Sequence, residues 1–288
     1  MLRLPTALLA TAALAACAHH AAEPQHSADL RKTIESSTNW KPAYDTIQRA
    51  ALEARGRVAS RNLRTLPVPA MTLRFSFKAE AIDASGKTSP AIAVASVGPG
   101  DHCSLYYRGA ISNEHSKAFF DAAAKLLTYR CKETLVKLTS GGGDVLTGIR
   151  MGLLIHEAGW ATVSWREDFN EIACRSSCAW AFMGGRKRYG FHLSNLAALD
   201  GPRPMYVYFH QASAGIGASK TCITEPAALP YAQVHAYLTR VAPDAADPLV
   251  AEALSVSCTD TRSPYRWEAA HSLVYTDALT FFEAGRFP

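Results

Sequence analysis

Hydrophobic positions along this chain change their period near residue 70. From residue 29 to about residue 63 they recur at helical spacing, with Ile34, Tyr44, Ile47 and Leu52 as the expected packing positions. Leu66-Pro67-Val68-Pro69 closes that region, since prolines interrupt a helix. Three strand-like runs follow, at residues 71–77, 91–97 and 104–108. The spacing then predicts a helix over 114–129, with Phe119, Ala122, Ala123 and Leu126 apolar, and a short buried strand over 134–138. Val145, Ile149, Gly152, Leu153 and His156 share one face of a helix over 145–158, which Gly159 ends, and 160–165 reads as the next strand. Strand, helix and strand joined by short links argue for an α/β fold with parallel strands.

The N-terminus follows a different rule. Arg3 supplies a positive start and residues 4–14 an apolar stretch rich in Leu and Ala. That is the pattern of an export signal, and it is short for a membrane-spanning helix. Leu14-Ala15-Ala16-Cys17 resembles a bacterial lipobox, which would make Cys17 the lipidated N-terminus of the mature chain; the alternative is an ordinary cleavage signal. Ala18 after the cysteine resembles the outer-membrane sorting pattern. Acyl chains there would hold the protein on a membrane surface, at about 0.8 kcal/mol per buried CH₂. Residues 18–28 read as a flexible tether, and His19-His20 as part of a solvated linker.

Removing residues 1–16 takes away Arg3 alone among the charges, so the net charge falls from +5 to +4. With no Lys/Arg run and no basic-aromatic stripe, nucleic-acid binding has little support. At 48% hydrophobic residues, the chain has enough apolar content for one sizeable core. Besides Cys17 there are six cysteines, an even set that in an exported protein points to disulfides. Order along the chain suggests Cys103–Cys131, Cys174–Cys178 and Cys222–Cys258. A zinc site is the competing idea, but only Cys174 and Cys178 are closely spaced and no second Cys/His pair follows at ligand spacing.

Two segments carry candidate chemistry. In the first, the strand ends in Ser140-Gly141-Gly142-Gly143 and runs into a helix. Such a turn exposes free backbone N–H groups at the positive end of the helix and admits an anion or an oxyanion. It is neither a Walker loop nor a dinucleotide fingerprint; the bland reading is a tight turn. In the second, Cys174-Arg175-Ser176-Ser177-Cys178 precedes an apolar helix, so Ser176 sits where a turn presents a side chain, and a 174–178 disulfide would stiffen it. His210 and Gln211 come after the next strand-like run. A nucleophile, a base and fixed N–H donors are what acyl transfer requires. For His210 the bland reading is a strand-end histidine satisfied by a backbone carbonyl. His102, His115, His156, His192, His235 and His271 match no motif and are expected to be structural or solvated.

The order Ser140-Gly141-Gly142-Gly143, Gly148, Ser176, Gly185, Arg188 and His210-Gln211 resembles the Clp-type serine peptidases. The Cys-x-Ser-x-Cys variant with an export signal resembles the periplasmic ClpP-like branch of the ClpP/crotonase superfamily. The likeness covers roughly residues 100–215 well, residues 216–288 poorly, and leaves residues 18–70 outside. It implies a ClpP/crotonase-like ββα superhelix over 71–288, with a helical N-terminal extension over 17–70. It further implies Ser176 as nucleophile, His210 as general base, the N–H groups of Gly143 and Ser177 as oxyanion hole, and Gly142 at the substrate. The third triad member is not evident: Asp260 lies at about the family's distance downstream, with Asp277 as rival. Losing the orienting carboxylate can slow such an enzyme about 10⁴-fold. Extra residues between Arg188 and His210, including 196–204, also depart from the pattern.

The expectation is therefore a lipid-anchored serine hydrolase of the bacterial cell envelope, at the periplasmic face of the outer membrane. It would act on a peptide or protein substrate as a monomer or small homo-oligomer, with no cofactor and no metal. The second reading is a catalytically silent member that binds a peptide or an envelope partner. The third is a crotonase-like acyl-CoA enzyme, against which the export signal argues.

Overall fold

The computed structural model describes residues 23–62, 65–82, 88–99, 102–164, 174–192, 207–214, 220–259 and 273–280. Among them the fold is mixed α/β, with seven α-helices about a mostly parallel central sheet. The helical pattern expected over 29–63 is two helices, α1 (Glu23–Glu35) and α2 (Trp40–Asn62), and α1 begins inside the stretch 18–28 expected to be a flexible tether, so residues 23–28 are helical instead. They part at Ser36-Ser37-Thr38-Asn39, residue types whose side chains compete for backbone hydrogen bonds. Ile34 and Ile47 are buried as expected, but Tyr44 and Leu52 are 44% and 63% exposed. The packing stripe of α2 is instead Ala43, Ile47, Ala50, Ala51 and Ala54. Small residues permit close helix approach, and Tyr44 and Leu52, each one position off that stripe, turn about 100° away from it.

The sheet begins with β1 (Leu73–Ile82), β2 (Thr88–Val97) and β3 (His102–Arg108), paired antiparallel. After helix α3 (Ser116–Leu126) come β4 (Glu133–Thr139), α4 (Val145–Glu157) and β5 (Ala161–Ser164), with β4 parallel to both β3 and β5. Short β6 (Cys174–Arg175) leads into α5 (Ser177–Phe182), then β7 (Arg188–His192), β8 (Val207–Tyr208), β9 (Ser213–Ala214) and β10 (Thr221–Cys222). The chain continues through α6 (Leu229–Val241), α7 (Ala246–Ser255) and β11 (Asp277–Thr280). The main sheet runs β1-β2-β3-β4-β5-β7-β11, all parallel from β3 onward. Helix α4 is buried nearly all round, from Thr147 to Ile155 with Arg150 exposed, because α2, α5 and α6 cover the faces that an amphipathic helix would leave to water.

Three disulfides are present, Cys103–Cys131, Cys174–Cys178 and Cys222–Cys258, with Cα atoms 5.8, 5.1 and 5.4 Å apart. They point to an oxidising, non-cytoplasmic location. Among the described residues no helix is long and apolar enough to cross a membrane. The N-terminal helices share the core of the sheet domain. Asp247 of α7, which takes the Arg31 guanidinium at 2.9 Å and the buried His235 ring at 2.7 Å, clamps α1 in place.

Candidate active site

The glycine turn is built by its neighbours. At the carboxyl end of β4 the Ser140 hydroxyl accepts the N–H of Gly142 at 3.0 Å. Buried Ile111 donates to the Gly142 carbonyl at 3.0 Å and accepts from Asp144 N–H at 2.7 Å. Gly143, between those two bonds, has φ 147°, and a Cβ there would overlap the Ile111 carbonyl. Only glycine serves at such a position. Asp144 then caps α4, its carboxylate accepting from Thr147 N–H at 2.7 Å. Among the described residues the Gly143 N–H has no backbone acceptor, so it is free to donate to an incoming oxygen.

The serine turn lies against this one. Arg175 N–H donates to the Ser140 carbonyl and Ser176 N–H to the Tyr208 carbonyl, both at 2.9 Å. The turn is thereby held between the end of β4 and β8, which is parallel to β6. Ser176 takes φ 55°, ψ −125°, the one positive φ outside glycine among the described residues. A conformation of this kind costs about 1–3 kcal/mol and persists only where the surroundings over-determine it. Here they do so through the two backbone bonds, the Cys174–Cys178 bridge across the turn, and the Ala179 N–H donated to the Ser176 carbonyl at 2.9 Å. The strain turns a partly exposed Ser176 toward Gly142, whose Cβ, if present, would lie 2.5 Å from that of Ser176. Ser177 opens α5, so its N–H has no partner within the helix. Gly148 of α4 faces the Ser177 carbonyl too closely for any side chain, which is how the helix behind the glycine turn and the helix behind the serine come to touch.

His210 leaves β8 two residues beyond the bond to Ser176, with Phe209 packed on Trp180 of α5 at 4.7 Å between ring centroids. Its Nδ1 lies 2.7 Å from the Gln211 carbonyl oxygen. A carbonyl only accepts, so Nδ1 carries the hydrogen and Nε2 keeps the lone pair, the form a general base needs. Burial pushes the imidazole below its ordinary pKa; the Gln211 bond opposes that, and the charges of Lys220 and Arg175 reinforce it. The ring is therefore neutral at neutral pH.

Gly142, Gly143, Ser176 and Ser177 meet at the carboxyl end of β4, where open α/β sheets place their ligand sites; His210 follows two residues after the Tyr208 carbonyl that holds Ser176, and among the described residues no hydrogen bond joins the Ser176 and His210 side chains. Asp260 and Cys17 lie outside the described residues, as do His19-His20, His271 and residues 196–204. Asp277 opens β11, opposite Tyr189 at the edge of the sheet. Arg188 is buried and donates to the Val274 and Gly185 carbonyls, which makes it a brace within the fold. His115 and His235 are likewise bound to neighbours, Ser112 and Ser89 for the first, Asp247 for the second. Ile111 and the Tyr208 carbonyl act through the backbone and leave no mark in the sequence; the Ser140 hydroxyl does, as the serine opening the glycine run. A separate cavity of about 560 Å³ lies at the opposite, amino end of the strands, lined by Lys132, Arg186 and Lys187 among others. Arg186 there donates to the His156 carbonyl near the end of α4, so at least this lining charge serves a helix terminus. Among the described residues no group of three His, Cys, Asp or Glu is placed to hold a metal ion.

Comparison with family models, with curated proteins and with solved structures finds no match for this chain.

Proposed function

We propose that this protein is a serine hydrolase of the cell envelope with a ClpP/crotonase-like fold, working on peptides through an acyl-enzyme on Ser176. The observation that carries the reading is the strained Ser176 at the head of α5, set against a glycine turn with an unused N–H. Strain of this kind is held in place where a side chain must be presented. In the proposed reaction Ser176 Oγ attacks the scissile carbonyl carbon while His210 Nε2 takes its proton. The oxyanion is received by the N–H groups of Gly143 and Ser177, each worth about 3–4 kcal/mol in such a site. The protonated ring then gives its proton to the leaving amine, and water releases the acyl group by the same steps in reverse.

The lipobox-like LAAC at residues 14–17 supports attachment through lipid on Cys17, and Ala18 supports an outer-membrane destination. With α1 starting at Glu23, only a few residues separate that anchor from the folded domain. A monomer or small homo-oligomer fits such a tether. A second reading, peptide binding without turnover, draws on the Gln211 carbonyl standing where a triad places a carboxylate. A fluorophosphonate probe separates the two. Covalent labelling of the oxidised protein, lost in Ser176→Ala and in His210→Ala, is the expected result; a folded, oxidised protein that takes no label refutes the hydrolase reading.

A further inference from the structure

The group that orients His210 can be traced beyond the ring, on the assumption that His210 is the base of the proposed site. The Gln211 carbonyl that takes its Nδ1–H belongs to the peptide unit joining Gln211 and Ala212. The other end of that unit, the Ala212 N–H, donates to the hydroxyl of Tyr231 at 3.0 Å. The Tyr231 hydroxyl in turn donates to the Ile223 carbonyl at 2.6 Å. Tyr231 is 2% exposed, in the first turn of α6. The four groups thus form one directed chain of hydrogen bonds, from the His210 ring through a peptide and a phenol to a main-chain carbonyl. Each bond in such a chain polarises the next, so a peptide whose N–H is engaged presents a stronger carbonyl acceptor.

The peptide is also held from the side. Gln211 N–H donates to the Val256 carbonyl at 2.9 Å and its side-chain amide to the Leu254 carbonyl at 2.7 Å, both where α7 ends. Ile223 N–H closes on the Ala212 carbonyl at 2.8 Å, and the Cys222–Cys258 bridge ties the Ile223 segment to the chain just beyond α7. A carbonyl has no charge with which to hold an imidazole, so its direction must be set by its surroundings. The Tyr231 hydroxyl on its own N–H, and the bonds on the peptides to either side, set it.

We infer that Tyr231 and Gln211 are positioning residues, which hold the Gln211–Ala212 peptide so that its carbonyl fixes the His210 tautomer and does the orienting work a triad assigns to a carboxylate. Tyr231→Phe is the direct perturbation, since it keeps the ring and deletes only the hydroxyl. Gln211→Ala tests the lateral clamp.

The experiment is nitrogen-15 NMR of the histidine-labelled, oxidised protein, alongside fluorophosphonate labelling across pH. The wild type is expected to show His210 with Nδ1 protonated and Nε2 bare. Tyr231→Phe should mix the tautomers, move the His210 titration midpoint to lower pH, and slow labelling about tenfold, a part of the roughly 10²–10⁴-fold that a general base contributes. A merely structural role for Tyr231 would leave tautomer and midpoint alone. A wild-type His210 carrying its proton on Nε2 overturns the proposal even if neither variant folds, and so does an unchanged midpoint in a folded Tyr231→Phe. The two readings separate cleanly. An unlabelled protein with the Nδ1–H form, disturbed in Tyr231→Phe, upholds the positioning and refutes the hydrolase; a labelled protein with the Nε2–H form does the reverse.

Discussion

Ser176→Gly should make this protein more stable while removing the proposed nucleophile. The residue is held at φ 55°, ψ −125°, outside the regions an L-residue occupies at ease. Its hydroxyl does not cap α5, so truncation removes no helix-cap bond. Ser176→Ala keeps the strain, and Ser176→Gly relieves it. Strain of about 1–3 kcal/mol is set against the roughly 0.5–1 kcal/mol that glycine loses through the greater freedom of its unfolded chain. Since this φ/ψ pair lies in territory reserved for glycine, the upper part of the strain range applies. Ser176→Gly should then exceed Ser176→Ala by about 1–2 kcal/mol, or about 2–4 °C in Tm for a domain of this size. The assay is denaturant and thermal unfolding of the two oxidised variants side by side. Ala181→Gly is the control for sign, because inside a helix that exchange costs about 1 kcal/mol. A Ser176→Gly protein no more stable than Ser176→Ala would show that the turn is not strained, and the main support for the nucleophile would be gone.

Three further outcomes follow from the same geometry. With its pKa held below the ordinary 6.5 by burial, His210 should stay a competent base as pH drops through 6.5, so the labelling midpoint lies below that value; because the unfolded chain takes the proton first, stability falls over the same descent, and a midpoint at or above 6.5 contradicts the burial argument. Removing the Cys222–Cys258 bridge, which closes a separation of 36 residues, should cost about 3–4 kcal/mol and slow labelling, read by unfolding and by probe kinetics under matched conditions. Asp247→Ala should cost about 1–3 kcal/mol by stranding the buried His235 ring and freeing Arg31, and hydrogen exchange should localise the loss to α1; protection of α1 as in the wild type would refute the clamp.

Periodicity is local, and what it carried was local. The runs at 71–77, 91–97 and 104–108 are β1, β2 and β3 to within a few residues at most ends, and the helix over 145–158 is α4. Apolar residues at a fixed spacing have one way to hide together, so the sequence alone marks such elements. The same reasoning failed at Tyr44 and Leu52, since large apolar residues were assumed to face inward while the close approach of α2 to α4 selected alanines. The break between α1 and α2 was written in Ser36-Ser37-Thr38-Asn39 and passed over.

For the site, residue types and spacing singled out the glycine turn, Ser176 and His210, along with a cysteine pairing that matches the three bridges present. Glycines where a backbone approaches closely, a serine between two cysteines and a histidine past a strand are covalent facts of the chain. What holds them is not. The φ of Ser176 follows from hydrogen bonds to Ser140 and Tyr208, and the His210 tautomer from a peptide fastened by Tyr231 and the end of α7. Those partners are main-chain carbonyls and N–H groups, which every residue owns and no sequence pattern marks. The residue types of the candidate site were therefore legible in the sequence, while their conformation and orientation were decided by tertiary structure, where backbone hydrogen bonds between distant segments are made.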